Sequence, residues 1–173
     1  MAVAIKKIGF ANIVIYNGGL KDWQKAGLSV QARDPLPLLD VSFVSGAELQ
    51  QDIAEAEASG CLDQRGNPLL TIIDIRSPRK FAEHKGGDQY RLKTSCRTIT
   101  AKIDDFLENE AMLNSVPRAG LVVTITETGN RDSFLIRYLY KFGNVNTKGL
   151  QFGMRGWLKA DYPVERIATP PRQ

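Results

Sequence analysis

Two stretches of this chain are apolar at nearly every position. Leu69, Leu70, Ile72, Ile73 and Ile75 form one; Leu121, Val122, Val123 and Ile125 form the other. Unbroken runs of this length, rich in β-branched residues, suit strands covered on both faces. Elsewhere the rhythm lengthens. Phe134, Leu135, Tyr138, Leu139 and Phe142 recur at helical spacing beyond the second run and a six-residue loop. Ser45-Gly46-Ala47-Glu48 has the form of a capping box and opens a helix to about residue 58. Residues 41–44 read as a short strand, and residues 104–114 as one helix with Phe106, Leu107 and Leu113 inward. Strands alternating with helices predict a mostly parallel sheet with helices on both faces.

The first 31 residues do not fit that scheme. Ala2, Ala4, Ile5 and Ile8 read as a helix end closed by Gly9. Residues 13–16 read as a strand, Asn17-Gly18-Gly19 as a turn, and residues 20–26 as a helix stopped by Gly27. This segment returns near the other end. Laying residues 9–30 on residues 143–164 without gaps puts Trp23 on Trp157, Gly19 on Gly153, Lys25-Ala26 on Lys159-Ala160 and Val30 on Val164, an offset of 134 residues (157 − 23). One long-period repeat points to tandem domains rather than a solenoid. The expected organisation is a partial repeat at 1–31, a linker with two prolines at 32–40, and a whole domain at 41–173 whose last six residues fray.

A chain of 173 residues can bury one ordinary core plus an appendage. The net charge of +4, with no basic run or interleaved aromatics, argues against a nucleic-acid partner. No apolar run approaches the roughly 20 residues that span a bilayer, so no membrane association is expected. The N-terminus lacks a signal peptide's apolar core, which makes a reducing, cytoplasmic compartment the expectation. Cys61 and Cys96 are far apart and in no CxxC spacing, suggesting neither a zinc site nor a disulfide framework. A single histidine, His84, leaves no basis for a His-based metal site or a Ser-His-Asp triad. Neither metal nor cofactor is expected.

Between the second strand and its helix lies Thr126-Glu127-Thr128-Gly129-Asn130-Arg131. A loop leading from a parallel strand into a helix leaves backbone N–H groups without partners, and these, with the helix dipole, favour an anion or a thiolate. This segment resembles the active-site segment of the rhodanese family of sulfurtransferases: an apolar strand, Cys-x-x-Gly-x-Arg, then a helix. Gly129 and Arg131 match; the nucleophile's position holds Thr126, and the next one, often Arg in active members, holds Glu127. Asp74-Ile75-Arg76 resembles the Asp-x-Arg that closes the family's first core strand, followed by Ser77-Pro78 at a helix start and Phe81 at the family's aromatic position. His84-Lys85-Gly86-Gly87 sits near the family's Gly-His-Ile without matching it, and residues 95–99 fit the place of its Gly-Ala-x-x-Ile. Both copies of the repeat resemble the closing segment of a rhodanese domain, with Gly18-Gly19 in the first and Phe152-Gly153 in the second. The resemblance spans about 41–166 plus 9–31. It implies an open, mostly parallel five-stranded sheet, and the tail of one domain followed by one whole domain.

In that family a thiolate accepts sulfane sulfur, helped by a pKa lowered at a helix N-terminus. A threonine hydroxyl is a poor nucleophile without an adjacent base. Glu127 adds negative charge where thiosulfate or phosphate would bind; like charges at a few ångströms repel by several kcal/mol at an effective dielectric of about 20. The resemblance therefore implies a catalytically silent homologue acting in binding, regulation or assembly, its loop Thr126–Arg131 taking a small anion or a partner's acidic group. The alternative is a sulfurtransferase using Cys96, or using a catalytic domain that is not in this chain. The favoured reading of Cys96 is a small buried residue in place of the family's Ala. Asp74 is expected to hold loop N–H groups, Arg76 to pair with a carboxylate, and Trp23 and Trp157 to pack. Residues 1–31 either pack on their own domain or complete a neighbouring truncated one, as a homodimer or with a rhodanese partner, because a strand at 13–16 would otherwise leave its edges open.

Overall fold

The computed structural model describes residues 9, 14–30, 35–76 and 89–167. The helix expected at 2–8, Ser77-Pro78, Phe81, His84 and the tail 168–173 lie outside the described residues. The chain divides into two units, Met1–Pro35 and Leu36–Gln173.

In the first unit, helix α1 spans Gly19–Lys25 and buries none of its residues. The Tyr16 ring meets Trp23 edge-on at 5.5 Å between centroids. The expected strand is not formed where it is described: Val14, Ile15 and Tyr16 are unpaired and exposed, Val14 at 94 %. A strand needs a neighbour for its backbone N–H and C=O groups, and this unit supplies none among the described residues.

The second unit is built on five parallel strands: β1 (Phe43–Val44), β2 (Leu70–Asp74), β4 (Arg97–Thr100), β5 (Leu121–Ile125) and β6 (Thr147–Leu150), in the order β1-β6-β5-β2-β4. The two apolar runs lie side by side at its centre, Leu70 opposite Leu121 and Asp74 opposite Ile125. Alternate residues face opposite sides. On one side Leu70, Ile72, Val123 and Ile125 pack against Leu49, Ile53 and Ala56 of α2 (Gly46–Ala58) and Met154 and Trp157 of α6 (Gly153–Lys159). On the other, Ile73, Ile75 and Val122 pack against α3 (Ile103–Glu108), α4 (Glu110–Asn114) and α5 (Asp132–Lys141). The expected five-stranded, parallel, two-sided architecture is present. Strand β3 (Gln89–Leu92) pairs antiparallel with β7 (Val164–Ile167) in a separate ribbon that the hydrophobic pattern did not announce.

Of three local readings, one holds and two change. The capping box forms as expected, with Ser45 Oγ accepting from Glu48 N at 3.2 Å and Glu48 Oε2 from Ser45 N at 2.8 Å. The single helix expected over 104–114 is instead two. Asn109 breaks it by turning extended, and its Oδ1 accepts from Ala111 and Met112 N–H at 3.0 and 3.2 Å, a cap that competes with helix continuation. Phe106 and Leu113 are buried, but Leu107 faces out.

The cysteines are the larger correction. Cys61, just past α2, and Cys96, just before β4, form a disulfide with Cα atoms 5.2 Å apart. Spacing in sequence did not reveal it because the contact is tertiary: Leu69 N donates to Cys61 O, and Glu57 near the end of α2 accepts from Thr94 Oγ1 and Ser95 N at 3.0 and 2.7 Å. These bonds hold the entry to β4 against the helix end.

Candidate functional site

The site is built where β5 and β2 end. After Ile125 the chain turns sharply, and the turn is tied down by the start of α6: Thr126 O accepts from Met154 N at 2.9 Å and Glu127 O from Arg155 N at 3.0 Å. That approach requires Gly153, whose φ is +57° and whose missing Cβ would collide with Thr126 O. Gly129, at φ +84°, closes the loop within 3.3 Å of Phe152 N on the same measure. The N–H groups of Thr128, Asn130 and Arg131 have no protein acceptor among the described residues.

Thr126, at the position of the family's nucleophile, is buried with its hydroxyl engaged twice. Oγ1 accepts from Gly129 N at 2.8 Å and donates to Asp132 Oδ2 at 2.9 Å. Asp132 is the first residue of α5 and is wholly buried; its Oδ1 has no hydrogen-bond partner among the described residues. Burial pushes its carboxyl up to about 6, against the opposing hydroxyls of Thr124 and Thr126, with the charge of Asp74 adding to the rise. The motif reading missed this carboxylate. The signal for it was an acidic residue at the first turn of a helix, where dipole and orphan N–H groups favour one.

At the end of β2, Asp74 and Arg76 are both buried. Asp74 Oδ1 accepts the Arg76 backbone N–H at 3.1 Å, and the guanidinium grips the carboxylate, Nη2 to Oδ2 at 2.6 Å and Nε to Oδ1 at 2.8 Å. Arg76 Nη2 also donates to Tyr90 O at 2.7 Å. The pair thus pins the chain leaving β2 to strand β3.

Arg76 borders a cup of about 210 Å³ together with Thr126, Glu127, Asn130, Arg131 and Arg155. The Arg131 and Arg155 side chains make no ion pair or hydrogen bond among the described residues. Thr128 and Glu127 lie at the same rim. Arg155, 24 residues beyond Arg131 in sequence, was not singled out in the sequence; it reaches the cup because α6 docks on the loop.

Cys96 lies elsewhere. Arg97 pairs with Thr71 at the amino end of the sheet, whereas Thr126 follows Ile125 at the carboxyl end, opposite Asp74. Five residues at about 3.3 Å each separate the two ends by roughly 16 Å. Its sulfur is bonded to Cys61, so it has no thiol to accept sulfur.

The architecture is that of a rhodanese-like domain. The chain is similar to a rhodanese-related protein from Thermoplasma volcanium, with a TM-score of 0.50 at 18 % identity over 72 % of this chain and 97 % of that one. A protein from Bacillus halodurans matches with a TM-score of 0.51 at 15 % identity over 86 % of this chain and 85 % of that one, and a full-length protein from Lactobacillus plantarum with 0.50 at 13 % over 72 % and 88 %. At these identities the likeness defines the fold. No protein-family model and no curated protein matches the sequence. Among the described residues no helix is long and apolar enough to cross a membrane, and no cluster of ligating side chains could hold a metal.

Proposed function

We propose that this chain is a rhodanese-like domain that carries no sulfane sulfur and works by binding: the loop of residues 126–131, with Arg131 and Arg155, takes a small anion or the acidic group of a partner. The observation behind this reading is the Thr126 hydroxyl held between Gly129 N–H and the Asp132 carboxylate. An alcohol does not ionise near neutral pH and does not form the persulfide on which sulfur transfer depends. Asp132 is a base in contact, yet the hydroxyl it accepts from is itself buried. The two arginine side chains, unpaired among the described residues, supply forked donors suited to a tetrahedral or carboxylate anion. Glu127 at the rim weakens binding and favours a ligand that also engages the guanidinium groups.

The test pairs thiosulfate-to-cyanide sulfur transfer with calorimetric titration of inorganic phosphate. Wild type and Thr126→Ala are expected to be equally silent, and Arg131→Gln to weaken phosphate binding. Sulfur transfer by the wild type that Thr126→Ala removes would overturn the reading.

A second reading concerns residues 1–31, here taken as a partial repeat joined by a linker at 32–40 to the domain at 41–173. Helices Gly19–Lys25 and Gly153–Lys159 share the 134-residue offset. Gly19 and Gly153 have φ of +60° and +57°. Trp23 Nε1 donates to Ser29 O and Trp157 Nε1 to Pro163 O, each at 3.0 Å and each six residues on. Trp157 is 1 % exposed, while Trp23 is 38 % exposed with Leu20, Leu28 and Val30 also open. We infer that this segment covers its apolar side against a second copy of the chain. Light scattering should give a dimer that Trp23→Ala dissociates; a monomer at high micromolar concentration would exclude it.

A further inference from the structure

The cup does not stand alone. Next to it, and sharing Thr128 and Arg155 with it, is an open cavity of about 610 Å³ lined by Phe152, Gly156, Lys159 and Ala160. Its floor is unusual in one respect. Phe152 has a left-handed backbone, φ +62°, that residues other than glycine avoid, and the residue is 69 % exposed. Gly156, inside helix α6, weakens that helix relative to alanine. The two belong together: a Cβ on Gly156 would come within 2.7 Å of Phe152 Cβ.

The first copy of the repeat serves as an internal control. There the equivalent positions are Gly18 and Asp22, and the crowding is reversed, since a Cβ on Gly18 would strike the Asp22 side chain. The small residue comes first and the larger one second. In the second copy the order is exchanged, which moves the bulk to an aromatic ring held in the open beside the loop. The exchange gains no core packing, because the ring is exposed. It does add an exposed aromatic ring to a cavity whose lining also includes Arg155 and Lys159.

We propose that the cavity beside Phe152, lined also by Arg155, Gly156 and Lys159, is the second half of a two-part site for an organic phosphate, its phosphate in the loop cup and its aromatic body against the Phe152 ring. The inference rests on the anion-binding reading of the loop and names the ligand class. A phosphate presents several acceptor oxygens to the forked guanidinium groups and the open loop N–H groups. An aromatic body uses the exposed ring face through offset stacking. Together the two cavities hold a ligand of ordinary small-molecule size.

The experiment titrates inorganic phosphate, phenyl phosphate and phenol into the full chain. Phenyl phosphate is expected to bind at least tenfold more tightly than inorganic phosphate, with no measurable binding of phenol. In Phe152→Gly the ratio of the two phosphates should collapse to about one while the thermal midpoint rises, because glycine accepts the left-handed backbone. Arg155→Gln should weaken both phosphates. Equal affinity for the two phosphates in wild type, or a tenfold ratio retained in Phe152→Gly, overturns the two-part site and leaves the cup standing. Failure of both phosphates to bind overturns the cup itself, and the two-part site with it.

Discussion

Replacing Asp132 by asparagine tests the centre of the site through stability, independently of any ligand. The carboxyl is wholly buried, one oxygen bonded to Thr126 and the other unpartnered among the described residues, and its pKa rises from 3.8 to about 6. A carboxyl raised in the folded state binds its proton more tightly there than in the unfolded chain. Its contribution to stability is therefore greatest below the unfolded value and declines as pH rises from about 4 through 6. At 1.36 kcal/mol per unit, a rise of about two units makes the ionised carboxylate unfavourable by about 3 kcal/mol above pH 6. Asparagine has no charge to bury and its Oδ1 still accepts from Thr126. Its amide N–H lacks a partner, which costs about 1 kcal/mol. The expected result is that Asp132→Asn gains about 2 kcal/mol over wild type at pH 7.5, with the advantage gone by pH 4.5. Urea denaturation across that range, followed by fluorescence of the buried Trp157, measures it. An advantage that does not change with pH, or a variant less stable at pH 7.5 than at pH 4.5 relative to wild type, would refute the reasoning.

Thr126→Cys alone is expected to give little sulfur transfer, because Asp132 holds the new thiol up. At about 3 to 4 Å and an effective dielectric of about 20, the repulsion is about 4 kcal/mol before relaxation. Thr126→Cys with Asp132→Asn should be at least tenfold faster and show thiolate absorbance at lower pH; equal rates would remove Asp132 from the account. Reducing Cys61–Cys96, separated by 35 residues, should lower stability by about 3–4 kcal/mol in denaturant titrations, and a loss under about 1 kcal/mol would mean the reduced chain is already constrained. The same bond bears on compartment, since a reducing cytoplasm would keep the pair as thiols. Gly153→Ala forces a Cβ onto Thr126 O at a positive φ and should cost about 2 kcal/mol or more together with anion affinity; a neutral effect would show that the loop can move off α6.

What was legible in the sequence was whatever depends on local pattern. Runs such as Leu121–Ile125 announce a covered strand because both faces must be apolar, and Ser45 with Glu48 announces a helix start because both partners lie within four residues. The loop was legible through Gly129 and Arg131. Features made by two distant segments meeting were not. Cys61 and Cys96 come together only when β2 and β4 pair, and Arg155 reaches the cup only when α6 docks on Thr126 and Glu127. Asp132 stood in plain view in the first turn of a helix, where an acid is ordinary; its difference is that burial turns an ordinary first-turn acid into a perturbed carboxyl. The repeat shows where the boundary lies. Trp23 with Ser29 and Trp157 with Pro163 repeat one local hydrogen bond, so sequence similarity found both. Whether the indole is then buried depends on what packs over it, and Trp157 has a core above it whereas Trp23 is half open. Local bonding is inherited with the motif. Burial, and with it the pKa of Asp132 and the exposure of Phe152, belongs to the surroundings, and those are the properties on which binding at this loop depends.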